Sequence, residues 1–344
     1  MNIENYNFNL PEDLIANQPS IKRSDSKLLV VQENLIDEKF KSIINYLKEG
    51  DLLVLNDTKV FNARLTANKQ TGGKVEILLE RQLNEFTASA ITKTNRPLKE
   101  NEILQISDSD VTAVVVEKND YLCKIEFSRD LETIIDTYGT IPIPPYMNRE
   151  SNIMDQERYQ TVYANDKKRR SSAAPTAGLH FDKSLLSDIE SKGIEITNIT
   201  LDIGLGTFKP ISQNDYTKHT MHSEKIYLSE QTSELINRKI RSKSKIISVG
   251  TTTLRCLEAV YKKLGKIQPY EGDTDIFIYP GFSFEVVDSL ITNFHLPKST
   301  LLLLVSAFAG ENAIKSAYDH AIENRYRFYS YGDSMLLNRK NWNP

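Results

Sequence analysis

The hydrophobic pattern changes its period in the middle of the chain, and this change limits the available folds. Residues 65–138 contain short alternating segments between turn residues, for example residues 74–80 and 111–117. Five or more such strands without a convincing helix between them predict a small β-barrel or sandwich. On both sides strands alternate with helices, which predicts an α/β domain with a mixed, partly parallel sheet. We therefore predict a discontinuous α/β domain, residues 1–64 and 139–344, with an all-β, barrel-like domain inserted at residues 65–138.

The inserted β module has two possible roles. It could be a spacer, or it could form a wall for a macromolecular substrate, and the sequence favours neither.

The composition is that of a soluble globular protein. The net charge of −3 provides no overall attraction to nucleic acid, so an RNA partner would need a local basic patch. Cys123 and Cys256 are far apart in sequence, which argues against a disulfide framework or a thiolate metal site. The longest apolar run, residues 301–310, is too short to span a bilayer, and no signal-peptide pattern is evident. We expect a cytoplasmic protein with no membrane partner.

The run at residues 171–181, SSAAPTAGLHF, has the composition of a binding or catalytic loop. Its small residues let the backbone approach a ligand closely, Pro175 fixes one dihedral angle, and Gly178 permits conformations barred to other residues. Thr176 supplies a donor and an acceptor, and His180 supplies a group that titrates near neutrality. A loop that only connects two elements seldom needs this combination.

Several polar segments follow predicted strands of the α/β domain. The predicted strands are residues 51–55, 194–203, 245–249, 275–279 and 289–292, and the predicted helices are residues 182–192 and 254–263. Ligands of open α/β sheets bind beyond the carboxyl ends of the strands, so residues 56–59, 204–207, 250–253 and 295–298 could converge on one edge. Residues 250–253 also offer free backbone N–H groups at a helix start, which suits a carboxylate or a phosphate.

The two candidate imidazoles and one candidate lysine also have plainer interpretations. His180 and His295 both adjoin apolar residues, so each could be a buried packing histidine with satisfied hydrogen bonds. Lys298 could simply be solvated at a helix start. A cation is unfavourable near a helix N-terminus unless an anion is present, which favours a ligand role for Lys298.

Other charged residues leave similar alternatives open. Asp57 with Lys59 is typical of a loop ion pair, and His222 with Glu224 could be a His–carboxylate pair or two surface residues. Residues 167–170, KKRR, are the only compact basic run, which is either a solvated loop or a contact for a phosphate backbone.

Long motifs in a fixed order carry a specific resemblance. They are GDLLVLNDTKV at 50–60, GGKVE at 72–76, YGTIP at 138–142, YQTVY at 159–163, AAPTAGLHF at 173–181, GLGTF at 204–208, NFHLPKST at 293–300 and YGD at 331–333. On these residues the chain resembles the S-adenosylmethionine:tRNA ribosyltransferase-isomerase family of queuosine biosynthesis, from residue 8 to the end.

The resemblance implies a reaction and its substrates. Enzymes of this family transfer and isomerise the ribosyl part of S-adenosylmethionine onto 7-aminomethyl-7-deazaguanine at the wobble position of a queuosine-family tRNA anticodon. The product is epoxyqueuosine, and adenine and methionine are released. S-adenosylmethionine is thus a consumed substrate, and the resemblance implies neither a metal nor another cofactor. We expect a monomer that binds S-adenosylmethionine and tRNA.

This chemistry suggests roles for individual residues. The sulfonium acidifies the adjoining ribose carbon, and the nucleobase amine must be neutral to attack, so both steps suit an imidazole with a pKa near the working pH. We predict His180 and His295 as base and acid, with Asp57 in the catalytic set. Lys298 or Arg255 would bind the methionine carboxylate or an RNA phosphate. Thr176 and Thr251, together with Asp57, would orient the ribose and the amine. The other predicted substrate-binding residues are Lys59, Arg64, Gly178, Gly204, Gly206, Thr207 and Glu224. The predicted tRNA-binding residues are Lys167, Lys168, Arg169 and Arg170.

Two other classes of function stay open on the sequence alone. One is an RNA-binding protein without catalytic activity, in which the β module and the basic run make the contact. The other is a hydrolase with a Ser-His-Asp set, although no Gly-x-Ser-x-Gly elbow supports it. Four aromatic residues could stack on adenine or on anticodon bases, although residues at such spacing more often belong to a core: Tyr326, Phe328, Tyr329 and Tyr331.

Overall fold

A computed structural model describes residues 1–119, 122–204, 211 and 213–340, with the backbone alone at Arg169 and Arg170. It contains a nine-stranded mixed sheet, a closed six-stranded barrel and one two-stranded pair. The strands are β1 (Lys27–Val31), β2 (Leu35–Lys39), β3 (Leu52–Asn56), β4 (Lys59–Val60), β5 (Arg64–Lys69), β6 (Lys74–Gln82), β7 (Thr87–Thr94), β8 (Ile103–Ile106), β9 (Thr112–Lys118), β10 (Cys123–Phe127), β11 (Arg169–Ser171), β12 (Glu195–Leu201), β13 (Glu224–Leu228), β14 (Ile246–Val249), β15 (Tyr270–Thr274), β16 (Ser289–Asn293) and β17 (Ser334–Asn338). The α-helices are α1 (Leu131–Tyr138), α2 (Ile153–Arg158), α3 (Lys183–Ser191), α4 (Glu230–Ser242), α5 (Thr251–Leu264), α6 (Thr300–Ala309) and α7 (Glu311–Glu323).

Four neighbouring strands at the centre of the large sheet run parallel. The strand order is β15-β13-β12-β3-β14-β16-β17-β1-β2, and the run from β12 to β16 is parallel throughout. Every residue of β3 is buried, as expected for a strand covered on both faces. Its side chains alternate, so that Leu52 and Val54 enter one core while Leu53 and Leu55 enter the other. The carboxyl ends of the four strands therefore share one edge of the sheet.

The inserted strands form an antiparallel barrel with its own core. The barrel order is β10-β7-β6-β5-β8-β9, and alternate residues of β6 such as Val75 and Ile77 belong to the buried cluster. Helix α1 follows the barrel and adds Leu131 and Ile134 to this cluster. The predicted fold class is thus confirmed, while the domain boundaries at residues 65–138 stay a prediction. Within the described part of the chain, no helix is both long and apolar enough to cross a membrane.

One predicted strand is wrong, and one helix is present that the sequence does not predict. Residues 275–279 alternate like a strand, and Ile276 and Ile278 are buried, but the strand that pairs with β13 is β15, which ends at residue 274. The β module also ends in a helix, α1, where the sequence indicated none. Asp130 starts this helix, because its side chain accepts from the backbone N–H of Thr133 at 2.7 Å.

A glycine and an arginine hold together the segments of chain that enter and leave the barrel. A Cβ atom at Gly139 would lie 2.3 Å from the Asn62 carbonyl oxygen and 2.4 Å from that of Ile135, so no other residue fits at this crossing. Arg64 begins β5, forms a bridge with Thr140, and donates from Nη2 to the Ile143 carbonyl at 2.8 Å. Arg64 is therefore part of the domain junction.

Asp155 ties two segments of the chain together from a fully buried position. Its carboxylate accepts two hydrogen bonds from Arg149, at 2.6 and 2.8 Å, and one from the Tyr331 hydroxyl at 2.8 Å. The backbone N–H of Asn152 adds a fourth. Burial alone would raise the pKa of Asp155, but the hydrogen bonds, above all that from Arg149, bring it below its usual value. This carboxylate fixes the segment around residue 149 against the C-terminal segment around Tyr331.

We expect Asp155→Asn to lower the free energy of unfolding by about 2 kcal/mol, because it removes the negative charge of the ion pair and leaves the Arg149 guanidinium without a counter-ion. Denaturant unfolding followed by circular dichroism measures the change. Asp110→Asn is the matched control, because Asp110 and Arg129 form an exposed ion pair whose loss should leave stability almost unchanged. Equal effects of the two substitutions would contradict the prediction.

Candidate active site

A cavity opens at the carboxyl edge of the central strands. Strand β16 ends at Asn293 and β14 is followed by Gly250, and both residues line the cavity. Ile203, two residues beyond β12, and residues 174–177 form further parts of the wall. Three predicted segments, at 173–181, 250–253 and 293–298, thus contribute lining residues, whereas the described lining includes none of residues 56–59.

Helix α5 points its N-terminus at this cavity. Gly250 precedes the helix with φ of +90°, a conformation that favours glycine, and no side chain caps the helix start. Thr251 and Thr252 line the cavity, and the Thr252 Oγ1 atom is buried without a hydrogen-bond partner among the described residues. Free N–H groups and the helix dipole make this end suitable for an anion.

His295 lines the same cavity as a neutral imidazole. Its Nε2 lies 2.9 Å from the Thr292 hydroxyl, and its backbone N–H donates to the Tyr318 hydroxyl at 2.8 Å. Burial lowers the pKa of His295 to about 3. His295 is therefore unprotonated at neutral pH.

His180 lies behind the cavity wall and is not among the lining residues. Its Nδ1 is 2.7 Å from Ser26 Oγ, its Nε2 is 3.1 Å from Asn293 Nδ2, and its ring stacks on Phe40. Burial, followed by the charges of Arg327 and Arg23, lowers its pKa to about 3. Both pKa values therefore lie well below the working pH, contrary to the expectation from the sequence.

Asn293 connects His180 to the cavity. Its Nδ2 also donates to the Tyr329 carbonyl at 3.1 Å, whereas its Oδ1 is buried with no partner among the described residues. Asn293 itself is only 3% exposed. Asn293 is absent from the site residues predicted from the sequence, although it begins the NFHLPKST motif.

Two tyrosines form an aromatic wall of the cavity. The rings of Tyr146 and Tyr329 are 4.7 Å apart between centroids, and the Tyr146 hydroxyl forms a hydrogen bond with Ser330 Oγ. Tyr329 has a φ of +73°, which is unusual for a bulky residue and often marks a functional site. Tyr329 is the one member of the four predicted aromatic residues that lines the cavity; Tyr326 and Phe328 belong to the large core.

Asp57 belongs to a separate polar cluster near the same sheet edge. Lys168 Nζ lies 2.9 Å from its Oδ2, and the Thr200 hydroxyl donates to its Oδ1 at 2.7 Å. The predicted pairing of Asp57 with Lys59 is wrong, since Lys59 pairs with Asp166. Lys168 is therefore engaged by the protein itself and is not a free member of the basic run.

Glu224 and Arg255 form a buried ion pair. Arg255 Nη1 donates to Glu224, while its Nε and Nη2 atoms are buried without partners among the described residues. Arg255 lies one helical turn after Thr251, on the same side of α5. The guanidinium thus keeps donors for another acceptor, such as a carboxylate.

Three other predicted residues have structural partners. Lys298 pairs with Glu4 at 2.8 Å. Glu4 therefore supplies the anion expected beside a lysine at a helix start, so the position of Lys298 does not require a bound ligand. Gly178 packs under Tyr163, because a Cβ atom there would lie 2.0 Å from the Tyr163 hydroxyl oxygen. Arg64 belongs to the domain junction, as described above.

Of the remaining predicted residues, Gly204 is described and others are not. A Cβ atom at Gly204 would lie 3.5 Å from Glu80 of β6, so the barrel reaches this edge of the sheet. Gly206 and Thr207 are outside the described residues, as are the side chains of Arg169 and Arg170. Among the described residues, no group of three His, Cys, Asp or Glu side chains is placed to hold a metal ion.

Comparisons with known proteins agree with one another. A model of the family described as queuosine biosynthesis protein matches residues 3–337. An S-adenosylmethionine:tRNA ribosyltransferase-isomerase of Acinetobacter baumannii (strain AYE) is 46% identical over 342 residues, covering 98% of this chain and 99% of that protein. A protein of the same name from Vesicomyosocius okutanii is also 46% identical over 342 residues, covering 99% of both. The crystal structure of an S-adenosylmethionine tRNA ribosyltransferase from Thermotoga maritima matches with a TM-score of 0.56 and 33% identity, covering 96% of this chain and 99% of that one.

The two buried imidazoles predict a loss of stability in mild acid. Because their pKa values fall from 6.5 to about 3 on folding, the unfolded chain takes up protons first as the pH drops below 6.5. The stability that the two neutral imidazoles contribute is therefore present above pH 6.5 and is lost progressively as the pH falls toward 3. Between pH 7.5 and 5.5 we expect each histidine to remove about 1.4 kcal/mol from the free energy of unfolding.

Urea unfolding of the wild type and of the His180→Gln/His295→Gln double variant measures this effect. The double variant should lose about 2.7 kcal/mol less than the wild type over the same pH interval, because glutamine does not titrate. Identical pH dependence of the two proteins would rule out the neutral, buried imidazoles.

Proposed function

This chain belongs to the queuosine biosynthesis protein family, and we infer from this membership that it is an S-adenosylmethionine:tRNA ribosyltransferase-isomerase. It transfers the ribosyl part of S-adenosylmethionine to the amine of 7-aminomethyl-7-deazaguanine at the wobble position of tRNA. The amine loses a proton and forms a C–N bond to the sugar, while the glycosidic C–N bond breaks and adenine leaves with a proton. The ribose ring opens at its C–O bond and recloses through a new C–C bond and an epoxide C–O bond. The ribose C–S bond breaks, methionine leaves with its electron pair, and one proton is released. The observation that carries the proposal is the match to relatives of this name over 98% of the chain.

We place S-adenosylmethionine in the cavity with its methionine carboxylate at the start of α5. The uncapped first turn at Thr251 supplies N–H donors for this carboxylate, and the Nε and Nη2 atoms of Arg255, which Glu224 does not use, supply further donors one turn deeper. The sulfonium, being a cation, is better placed away from the helix start and toward the faces of Tyr146 and Tyr329. Thr176 lies in the wall to contact the ribose. S-adenosylmethionine is consumed in this reaction, and the proposal needs no further cofactor.

His295 is the base that we assign to the ribose carbon beside the sulfonium. Its imidazole is neutral and lines the cavity, so its lone pair is available to accept a proton. A base with so low a pKa is weak, however, and proton transfer is faster when the pKa approaches the working pH. The phosphates of bound tRNA supply negative charge that raises the pKa of His295. The wobble base and its backbone thus help to complete the catalytic site.

The tRNA approaches from the side of the Asp57 cluster in this proposal. Lys167 is exposed there, and Glu80 shows that the barrel reaches the same edge. Lys168 serves chiefly to hold Asp57, which in turn orients the incoming amine. The barrel therefore acts as a wall for the RNA. Because the substrate is tRNA, we place the enzyme in the cytoplasm, and we expect it to act as a monomer.

Turnover with both substrates tests the proposed function. The protein is incubated with S-adenosylmethionine and with tRNA that carries 7-aminomethyl-7-deazaguanine. We expect free adenine, detected by chromatography, and the matching gain in the mass of the RNA. Folded wild-type protein that produces neither, with competent substrates, would refute the proposal and favour an RNA-binding protein without activity.

His295→Ala should reduce kcat by at least about 100-fold, because general-base catalysis contributes roughly that factor or more. His320→Ala is the matched control, since His320 is partly exposed and contacts Asp37 instead of the cavity. We expect near wild-type turnover for this control. Near wild-type turnover of folded His295→Ala would exclude His295 as the base.

The basic run gives a second prediction with an internal contrast. Lys167→Ala should raise the KM for tRNA a few-fold and leave the KM for S-adenosylmethionine unchanged. The slope of the logarithm of tRNA affinity against the logarithm of salt concentration should become shallower by about one. Lys168→Ala should also lower kcat, because it removes the partner of Asp57. Steady-state kinetics at several salt concentrations separate the two effects, and equal behaviour of both variants would contradict the assignment.

A further inference from the structure

We propose that Asn293 is a substrate-recognising acceptor of the cavity, and that His180 acts as its positioning residue instead of as a base. The inference rests on the proposed function, because that reaction defines the ligands.

A chain of hydrogen bonds with a fixed direction holds the Asn293 amide. At one end, the Ser26 hydroxyl donates to the Arg23 carbonyl at 3.3 Å, so Ser26 Oγ accepts from His180 Nδ1. His180 Nε2 then has only a lone pair to offer, and it accepts from Asn293 Nδ2 at 3.1 Å. At the other end, Asn293 Nδ2 donates its second hydrogen to the Tyr329 carbonyl.

The two carbonyls determine the orientation of every group between them. A backbone carbonyl can only accept, so the amide nitrogen of Asn293 must face Tyr329 and the Nδ1–H tautomer of His180 must face Ser26. Both nitrogens of His180 are therefore occupied, which leaves this ring no free lone pair with which to abstract a proton. Its neighbours also disfavour a charged ring, in agreement with its lowered pKa.

This orientation turns the Asn293 oxygen away from both acceptors. The Oδ1 atom is buried and has no partner among the described residues, although Asn293 lines the cavity. A buried acceptor without a donor is unfavourable, and native structures keep such groups chiefly where they have a purpose. A neutral carbonyl oxygen attracts an N–H donor and repels a carboxylate.

S-adenosylmethionine has one such group on its adenine and another, the α-amino group, on its methionine part, and the tRNA base has an aminomethyl group. The α-amino group lies beside the methionine carboxylate at the start of α5, which leaves the adenine amine and the aminomethyl group for Asn293. Both have hydrogens for the Asn293 oxygen, so the ligand class is an amino group. The methionine carboxylate belongs instead at the start of α5, where N–H donors are available.

Two substitutions of His180 separate the positioning role from a catalytic one. His180→Gln can place an acceptor where Nε2 lies and so can keep Asn293 oriented. His180→Asn reaches only the position of Nδ1 and loses that acceptor. We expect kcat/KM of His180→Gln within about threefold of the wild type and that of His180→Asn at least about tenfold lower. Comparable, severe losses in both folded variants, or no loss in either, would overturn the inference.

Asn293→Ala identifies the amino group that is recognised. If adenine supplies it, the wild type should prefer S-adenosylmethionine to the hypoxanthine analogue, S-inosylmethionine, by about 100-fold in kcat/KM, and Asn293→Ala should reduce this preference to a few-fold. If the tRNA base supplies it, the variant should instead lose affinity for the aminomethyl-bearing tRNA relative to the same tRNA with guanine. A variant that changes neither preference would overturn the inference.

Asn237→Ala is the control for a merely structural amide. Asn237 lies on α4, away from the cavity lining, and its amide nitrogen donates to the Ile267 carbonyl at 2.7 Å. Its loss should lower stability and leave both preferences unchanged. Calorimetric affinities for S-adenosylmethionine and for both tRNAs measure the same preferences without turnover. A wild type that binds selectively but releases no adenine would therefore refute the proposed function and leave the role of Asn293 supported.

Discussion

The candidate site depends on four parallel strands whose carboxyl ends lie along one edge of the large sheet. Because β3 is buried on both faces, its side chains alternate between two cores, and a shift of register by one residue would place each set in the wrong core. The register in turn fixes Gly250 after β14 and Asn293 at the end of β16. Groups 43 residues apart in sequence therefore line one cavity at a constant separation.

Burial then decides which chemistry these groups can perform. Burial disfavours a charged imidazole, and this lowers the pKa of both His180, behind the cavity wall, and His295, in the cavity lining. The same environment strengthens the attraction between a helix start and an anion. Two histidines that look equivalent in sequence thus differ in the structure. His295 faces the cavity, whereas both ring nitrogens of His180 are taken up by Ser26 and Asn293.

Sequence periodicity predicts much of the fold and less of the site. Alternation of period two identifies the barrel, and alternating strands and helices identify the mixed sheet, because these patterns reflect burial on one or both faces. The strand at 275–279 was predicted wrongly because burial of Ile276 and Ile278 does not require strand pairing. Motifs locate the loop at 173–181 and the helix start at Gly250, both of which line the cavity.

Side-chain partners are harder to predict, because they depend on tertiary contacts. Asp57 has a lysine two residues away, yet its partner is Lys168, 111 residues distant. The orientation of Asn293 depends on His180 and Tyr329, and the positive φ of Tyr329 has no signal in the sequence. Hydrogen-bond direction can be assigned only when both ends of such a chain are known.

The neutral state of His295 has a consequence for the order of events in the proposed reaction. S-adenosylmethionine brings a positive charge into the cavity, which lowers the pKa of His295 further and makes it a poorer base. The tRNA brings phosphates of the opposite sign, which act against both burial and the sulfonium. With His295 as the base that we propose, proton abstraction is favoured only after both substrates are bound. An enzyme built this way avoids releasing adenine from S-adenosylmethionine before an amine is present to capture the sugar, and this protection follows from burial of the imidazole and the charges of the two substrates.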